Sequence, residues 1–70
     1  MTVRDYIKKT GCKDAVIIFK TGDEIDEMCG IKNGVITRTS SDDLPLDEEM
    51  FEYSKFETRL GNIIFVWRET

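Results

Sequence analysis

The chain reads Ile31-Lys32-Asn33-Gly34-Val35-Ile36 and, near its end, Leu60-Gly61-Asn62-Ile63. Each stretch places an Asn and a Gly side by side between residues that favour β-strands. A two-residue loop between antiparallel strands needs positive φ angles, and Asn and Gly adopt these most readily. We therefore predict two β-hairpins, with turns at 33–34 and 61–62, in an antiparallel sheet.

The second turn also predicts which residues face one another. With Gly61-Asn62 as the loop, Phe56 lies opposite Trp67 and on the same face as Phe65, because side chains alternate along a strand. We expect this aromatic face to be buried, with Trp67 in the core. Ile64 then lies on the other face.

The first residues have the pattern of a short helix. The Thr2 hydroxyl can accept a hydrogen bond from the amide of Asp5, which is the start of a capping box. Val3, Tyr6 and Ile7 follow at helical spacing, so they share one face. Gly11 is typical of a helix end. We predict a helix that lies across one end of the sheet.

Two more strands precede the first hairpin turn. Residues 15–19 form a continuous apolar run rich in β-branched side chains, which is typical of a strand covered on both faces. Ile25, Cys29 and Ile31 lie at odd positions of a second strand. Gly30, inside that strand, indicates a bulge or a sharp bend.

Residues 47–54 fit two structures. A helical turn would use Leu46, Met50 and Tyr53 as its buried side. A strand would already include Phe51 and Tyr53. The sequence leaves both open.

The predicted elements form one domain, residues 1–70, of the α+β class. Its N-terminal helix packs on a strongly bent antiparallel sheet of four or five strands. Residues 16–22, Val-Ile-Ile-Phe-Lys-Thr-Gly, are similar to the first strand and turn of an Sm motif, and the order of elements resembles the Sm-like and SH3-like small barrels. The resemblance implies that the sheet curls into a barrel. It implies no function, because the Asp and Asn that an Sm barrel uses at its RNA site have no counterpart in Lys32-Asn33-Gly34.

Size and composition argue against an enzyme. With 70 residues, 40% of them hydrophobic and 34% charged, the chain can build a small core but not a large substrate pocket as well. It has no histidine and two cysteines, which excludes His-based catalysis and most zinc sites. We therefore predict no catalytic residue, no cofactor and no metal site.

The two cysteines also bear on location. Cys12 and Cys29 match no redox motif, and the N-terminus has no apolar stretch of the secretory type. No apolar run approaches the ~20 residues that span a bilayer. We expect a cytoplasmic protein, not attached to a membrane, whose thiols are free.

Charge is unevenly distributed along the chain. The net charge is −4, and the carboxylates concentrate at 23–27 and 42–52, whereas the first twenty residues are rich in lysine. Such segregation is one mark of a partner surface. The candidate contact residues are Asp42, Asp43, Asp47, Glu48 and Glu49.

These features predict a small acidic binding module, not an enzyme, that acts through protein–protein contacts. Homo-oligomerisation is one remedy for so small a core. An alternative is an inhibitor whose carboxylates imitate nucleic acid and occupy a basic groove. A weaker alternative is a small barrel that binds single-stranded nucleic acid on its aromatic residues, although the acidic balance disfavours contacts with phosphate.

Overall fold

The computed structural model describes residues 1–39 and 44–68. Within these ranges, one helix and five strands make up an α+β domain. They are α1 (Val3–Thr10), β1 (Ala15–Thr21), β2 (Glu24–Lys32), β3 (Val35–Thr39), β4 (Met50–Thr58) and β5 (Gly61–Arg68). The strands form a single sheet in the order β3-β2-β1-β5-β4.

The sheet is mixed, which corrects the prediction of an antiparallel one. The pairs β1–β2, β2–β3 and β4–β5 are antiparallel, but β1 and β5 lie side by side in parallel, with Ile17 opposite Ile64. Turn residues determine only how a strand pairs with its neighbour in sequence. They carry no information about this pairing between the first and the last strand.

The sheet is also open, so the predicted barrel is not confirmed. Its outer strands are β3 and β4, and the two do not pair. A local irregularity does occur near Gly30, as predicted. Cys29 pairs with Thr39 and Gly30 with Thr37, which leaves Arg38 as an extra residue with a φ of 39°. This bulge bends one edge of the sheet without closing it.

Helix α1 begins and ends as predicted. The Thr2 hydroxyl accepts a hydrogen bond from the Asp5 amide at 3.2 Å. At the other end Gly11 adopts a φ of 65° and its amide donates to the carbonyl of Ile7. Val3 is fully buried on the side of the helix that faces the sheet.

The hairpin at Asn33-Gly34 is confirmed. Both residues have positive φ angles, 55° and 78°. Lys32 pairs with Val35, and Ile31 pairs with Ile36, as the two-residue loop requires.

The last hairpin turns two residues earlier than predicted, at Arg59-Leu60. Thr58 pairs with Gly61, and the Thr58 hydroxyl both accepts from the Leu60 amide at 3.2 Å and donates to the Gly61 carbonyl at 2.6 Å. Gly61 adopts a φ of 130°. The hydrogen bonds of the Thr58 hydroxyl thus close the Arg59-Leu60 turn. Gly61 and Asn62 are the first residues of β5.

The faces of this hairpin are the reverse of the prediction. The predicted and observed registers differ by an even number of residues, so Phe56, Phe65 and Trp67 still share a face. The buried face, however, is the other one, since Ile64 and Val66 are fully buried. Because β5 is apolar at every position from 63 to 67, its periodicity does not indicate which face the helix covers.

One hydrophobic core lies between α1 and the covered face of the sheet. Its buried members are Val3, Ala15, Ile17, Phe19, Cys29, Ile31, Met50, Ile64 and Val66. Strand β1 is therefore buried on one face only, because Val16 on the opposite face is 40% exposed. This differs from the prediction that β1 is covered on both faces.

Strand β4 begins at Met50, which settles the structure of residues 50–54 as strand. The backbone of Thr2 forms a bridge with that of Glu49 immediately before it. The Met50 amide donates to the carbonyl of Met1 at 3.2 Å. The chain's first residues are thereby attached to the edge of the sheet.

Candidate functional site

The face of the sheet that α1 does not cover is mainly apolar. The strand registers place on it the side chains that pair with Val16, Ile18 and Lys20 of β1. We call this surface the open face. Its apolar members are Val16, Ile18, Ile25, Met28, Phe56, Ile63, Phe65 and Trp67, and its polar members include Lys20, Glu52 and Ser54.

Three aromatic rings lie in contact on the open face. The Phe56 and Phe65 ring centroids are 5.5 Å apart with their planes at 79°, which is an edge-to-face arrangement. The centroids of Phe65 and Trp67 are 5.9 Å apart. Phe56 is 53% exposed, so this aromatic cluster is accessible from solvent.

Lys20 lies above two of these rings. Its Nζ atom is 5.6 Å from the centroid of Phe65 and 5.4 Å from that of Trp67. A cation within about 6 Å of an aromatic face is attracted by the negative potential of the ring. The open face thus carries a positive charge held against its aromatic cluster.

The orientation of Trp67 has a second cause. Its indole Nε1 donates a hydrogen bond to the carbonyl of Gly22 at 3.2 Å, in the turn between β1 and β2. Trp67 is half-buried and is not a member of the buried core, which corrects the prediction for this residue. The carbon atoms of the indole remain part of the open face, and its Nε1 donor is hydrogen-bonded.

The predicted acidic contact residues lie elsewhere. Asp42 and Asp43 fall outside the described residues. Asp47, Glu48 and Glu49 lie before β4, and each pairs with a cation of the same chain.

These pairs attach different parts of the fold to one another. The Arg4 Nε atom donates to Asp47 at 2.8 Å, and Arg68 binds Glu48 at 3.1 Å. Glu49 accepts from the N-terminal ammonium. The hydrogen bond from Arg4 holds the pKa of the Asp47 carboxyl below its usual value.

Within residues 1–39 and 44–68, no group of three or more His, Cys, Asp or Glu side chains is placed to hold a metal ion. A cavity of about 300 Å³ beside the end of α1 is lined by residues that include Cys12, Lys13 and Lys55.

The two thiols differ in environment. Cys29 is buried, and burial raises the pKa of its thiol to about 11. Cys12 is half-buried at the cavity beside α1. Both are free in the structure.

Among the described residues, the single helix α1 has eight residues and is too short to cross a bilayer. No protein-family profile, curated protein or solved structure matches the chain.

Sequence reasoning placed Phe56, Phe65 and Trp67 on one face correctly but assigned that face to the core. It grouped Ile25 with Cys29 and Ile31, whereas Ile25 lies on the open face and the other two are buried. The available signal was the continuity of two apolar runs, 15–19 and 63–67. A strand that borders solvent on one face usually alternates apolar and polar residues. Because β1 and β5 lack this alternation, both faces of the sheet are apolar at its centre. Helix α1 covers only one of them.

Proposed function

We propose that this protein is a binding module, not an enzyme, that acts through protein–protein contacts made by its open face. One observation carries the proposal. The two central strands, β1 and β5, are apolar on both faces, as in sheets covered on both sides. Their second face lies toward solvent, with Val16 40% and Phe56 53% exposed. A contiguous apolar surface of this kind is typical of interaction sites.

The aromatic cluster provides the anchor expected at the centre of an interface. Aromatic residues are enriched among the side chains that dominate binding energy, because each buries a large area with little loss of side-chain freedom. Phe65 and Trp67 are already positioned by their neighbours. The entropic cost of ordering them on binding is therefore small.

The acidic residues then have a supporting role. Asp47, Glu48 and Glu49 pair with cations of the same chain, which reduces the charge that they can offer to a basic groove. This favours a module that binds through the open face over an inhibitor that imitates nucleic acid. Exposed carboxylates outside the contact would affect mainly the rate of association and its salt dependence.

A second candidate function is the binding of single-stranded nucleic acid. The observation that favours it is the position of Lys20 beside the rings of Phe65 and Trp67, because bases stack on aromatic rings while cations contact phosphates. The net charge of −4 opposes it. We rank it below protein binding for that reason.

Capture of partners from the source cell tests the proposal. Wild type and two variants are immobilised, and the retained proteins are identified by mass spectrometry. Phe56→Glu places a carboxylate within the open face. Leu60→Glu is the matched control, since Leu60 is fully exposed in the Arg59-Leu60 turn. We expect Phe56→Glu to lose proteins that wild type and Leu60→Glu both retain.

Equal retention by all three proteins would refute a role for the open face. A titration of wild type with a labelled single-stranded oligonucleotide is done in parallel. Submicromolar binding that weakens steeply with salt would favour the second candidate instead. Circular dichroism of both variants shows that a loss of binding is not a loss of fold.

A further inference from the structure

We propose that the open face binds a second copy of this chain, in a face-to-face dimer where Lys20 of each copy pairs with Glu52 of the other. This inference rests on the proposed function and names one partner for the same surface. It starts from one row of residues that runs across the sheet.

The row consists of Glu52, Trp67 and Lys20 on three adjacent strands. Glu52 of β4 pairs with Trp67 of β5, and Trp67 pairs with Lys20 of β1. Residues paired in this way project to the same face. The backbones of Glu52 and Lys20 therefore flank that of Trp67 and are about 10 Å apart, given strand spacings of about 4.8 Å. The Lys20 ammonium reaches over the indole ring.

This arrangement is complementary to itself. A two-fold axis that runs along β5, just above the open face, turns a second sheet over onto the first. It places β5 on β5, and it places β1 of each copy on β4 of the other. Trp67 then lies opposite its own equivalent, and Lys20 of one copy lies opposite Glu52 of the other, twice. An interface made of the same patch on both subunits is the commonest kind in homo-oligomers.

The same geometry agrees with how sheets pack. Rotation about an axis parallel to β5 leaves the strands of the two copies running in nearly the same direction. Aligned packing of two sheets, within about 30° of parallel, is a standard arrangement of β-sandwiches. The open face supplies the large apolar side chains, including Ile18 and Phe65, that such packing interdigitates.

The charges favour this occupant over others. A single-stranded nucleic acid laid across the row would bring its phosphates near Glu52 as well as Lys20. A wholly apolar partner would leave both charges buried without a partner, which is costly. A second copy satisfies both with the same two residues.

The area is sufficient for a weak dimer. Three overlapping strands at about 4.8 Å spacing and about 25 Å length cover roughly 350 Å² per copy in projection. Accessible surface exceeds projected area because side chains protrude, so the total burial is about 1,000 Å², the lower end for specific interfaces. We therefore expect self-association at micromolar concentrations.

Sedimentation velocity across roughly 1 to 300 µM tests whether the dimer forms. Wild type should pass from monomer to dimer within that range. Lys20→Glu and Glu52→Lys should each weaken self-association about tenfold or more, because each brings like charges together at both contacts. Leu60→Glu, outside the open face, should behave as wild type.

A mixture of the two charge variants gives the decisive result. A Lys20→Glu chain carries two carboxylates in the row, and a Glu52→Lys chain carries two ammonium groups. Mixed in equal amounts they restore both ion pairs, so the heterodimer should form when neither variant dimerises alone. The double variant Lys20→Glu/Glu52→Lys should dimerise like wild type.

A wild type that stays monomeric at the highest concentration would overturn this inference, as would a dimer that is indifferent to both charge changes. Neither result affects the proposed function, which depends on whether Phe56→Glu loses captured proteins. If oligonucleotide binds the open face tightly while the chain stays monomeric, the dimer is refuted and the second candidate function is favoured.

Discussion

Tyr6 of the helix and Tyr53 of β4 stack face to face, with ring centroids 4.4 Å apart and planes inclined by 4°. The Tyr53 hydroxyl also donates to the carbonyl of Met1 at 2.8 Å. The two contacts attach Met1 and the middle of α1 to one edge strand. Burial, helped by the nearby Glu49 and Asp5 carboxylates, raises the pKa of the Tyr53 hydroxyl to about 12.

This pKa predicts a loss of stability in alkali. A phenol ionises near pH 10 in the unfolded chain but near 12 in the fold, so folding favours its neutral form. The stabilisation is fully present below pH 10 and disappears as the pH rises toward 12. We expect the free energy of unfolding, measured with urea, to fall over this range in wild type.

Tyr53→Phe is the control for that titration. It keeps the ring but removes the ionisable group, so its stability should fall less than that of wild type between pH 10 and 12. The difference in absorbance near 295 nm between the two proteins isolates the ionisation of Tyr53. A midpoint near the ordinary value of 10 would contradict the burial of this hydroxyl.

A second prediction compares two adjacent isoleucines. Ile64 is fully buried in the core, whereas Ile63 is half-buried on the open face. Ile64→Ala should cost about 2 to 5 kcal/mol, because truncation of a buried aliphatic residue also leaves a cavity. Ile63→Ala should cost clearly less. Urea unfolding monitored by circular dichroism measures both.

If Ile64→Ala fails to fold, the milder Ile64→Val keeps the comparison measurable. Its expected cost is about 0.5 to 1.5 kcal/mol, against a smaller effect of Ile63→Val. A larger loss at Ile63 than at Ile64 would mean that the faces of β5 are assigned the wrong way round.

The sequence predicted best those features that depend on a few neighbouring residues, such as a turn or a helix cap. Helix α1 and the Asn33-Gly34 hairpin could be predicted because Thr2, Gly11 and the hairpin dipeptide each satisfy a local backbone requirement. The parallel pairing of β1 with β5 could not, since it joins residues about fifty positions apart through contacts that no local pattern encodes. The sheet is open because its outer strands, β3 and β4, do not pair, and no local pattern encodes that either.

The candidate site shows the same limit. Periodicity identified which residues share the face of Phe56 and Phe65. It did not identify that α1 covers the opposite face, because β5 is apolar on both sides and either would suit a core. The acidic cluster was conspicuous in sequence, yet the structure pairs Asp47 and Glu48 with Arg4 and Arg68, which lie far away along the chain.

A third prediction concerns the reactivity of the thiols. Because burial raises the pKa of Cys29 to about 11, its reactive thiolate is scarce at neutral pH. Iodoacetamide at pH 7.5 should therefore modify Cys12 well before Cys29, and peptide mass spectrometry distinguishes the two. In urea both should react at similar rates. Modification of Cys29 in the folded protein as fast as in urea would contradict its burial.

The last prediction concerns the pair formed by Arg4 and Asp47. The Arg4 Nε and one Asp47 oxygen are 2.8 Å apart, and this hydrogen bond lowers the pKa of the carboxyl from its usual 3.8. A lowered pKa stabilises the fold above the unfolded value and loses that effect as the pH falls through the folded one. Asp47→Asn should therefore lower the melting temperature slightly at pH 7 and progressively less at acidic pH. The effect should be small, and weaker in salt, because both side chains are largely exposed.

Asp23→Asn, in the turn between β1 and β2, is the matched control and should change little at either pH. If the melting temperature of Asp47→Asn stays equally far below that of wild type in acid, the Asp47 side chain stabilises the fold by something other than its charge.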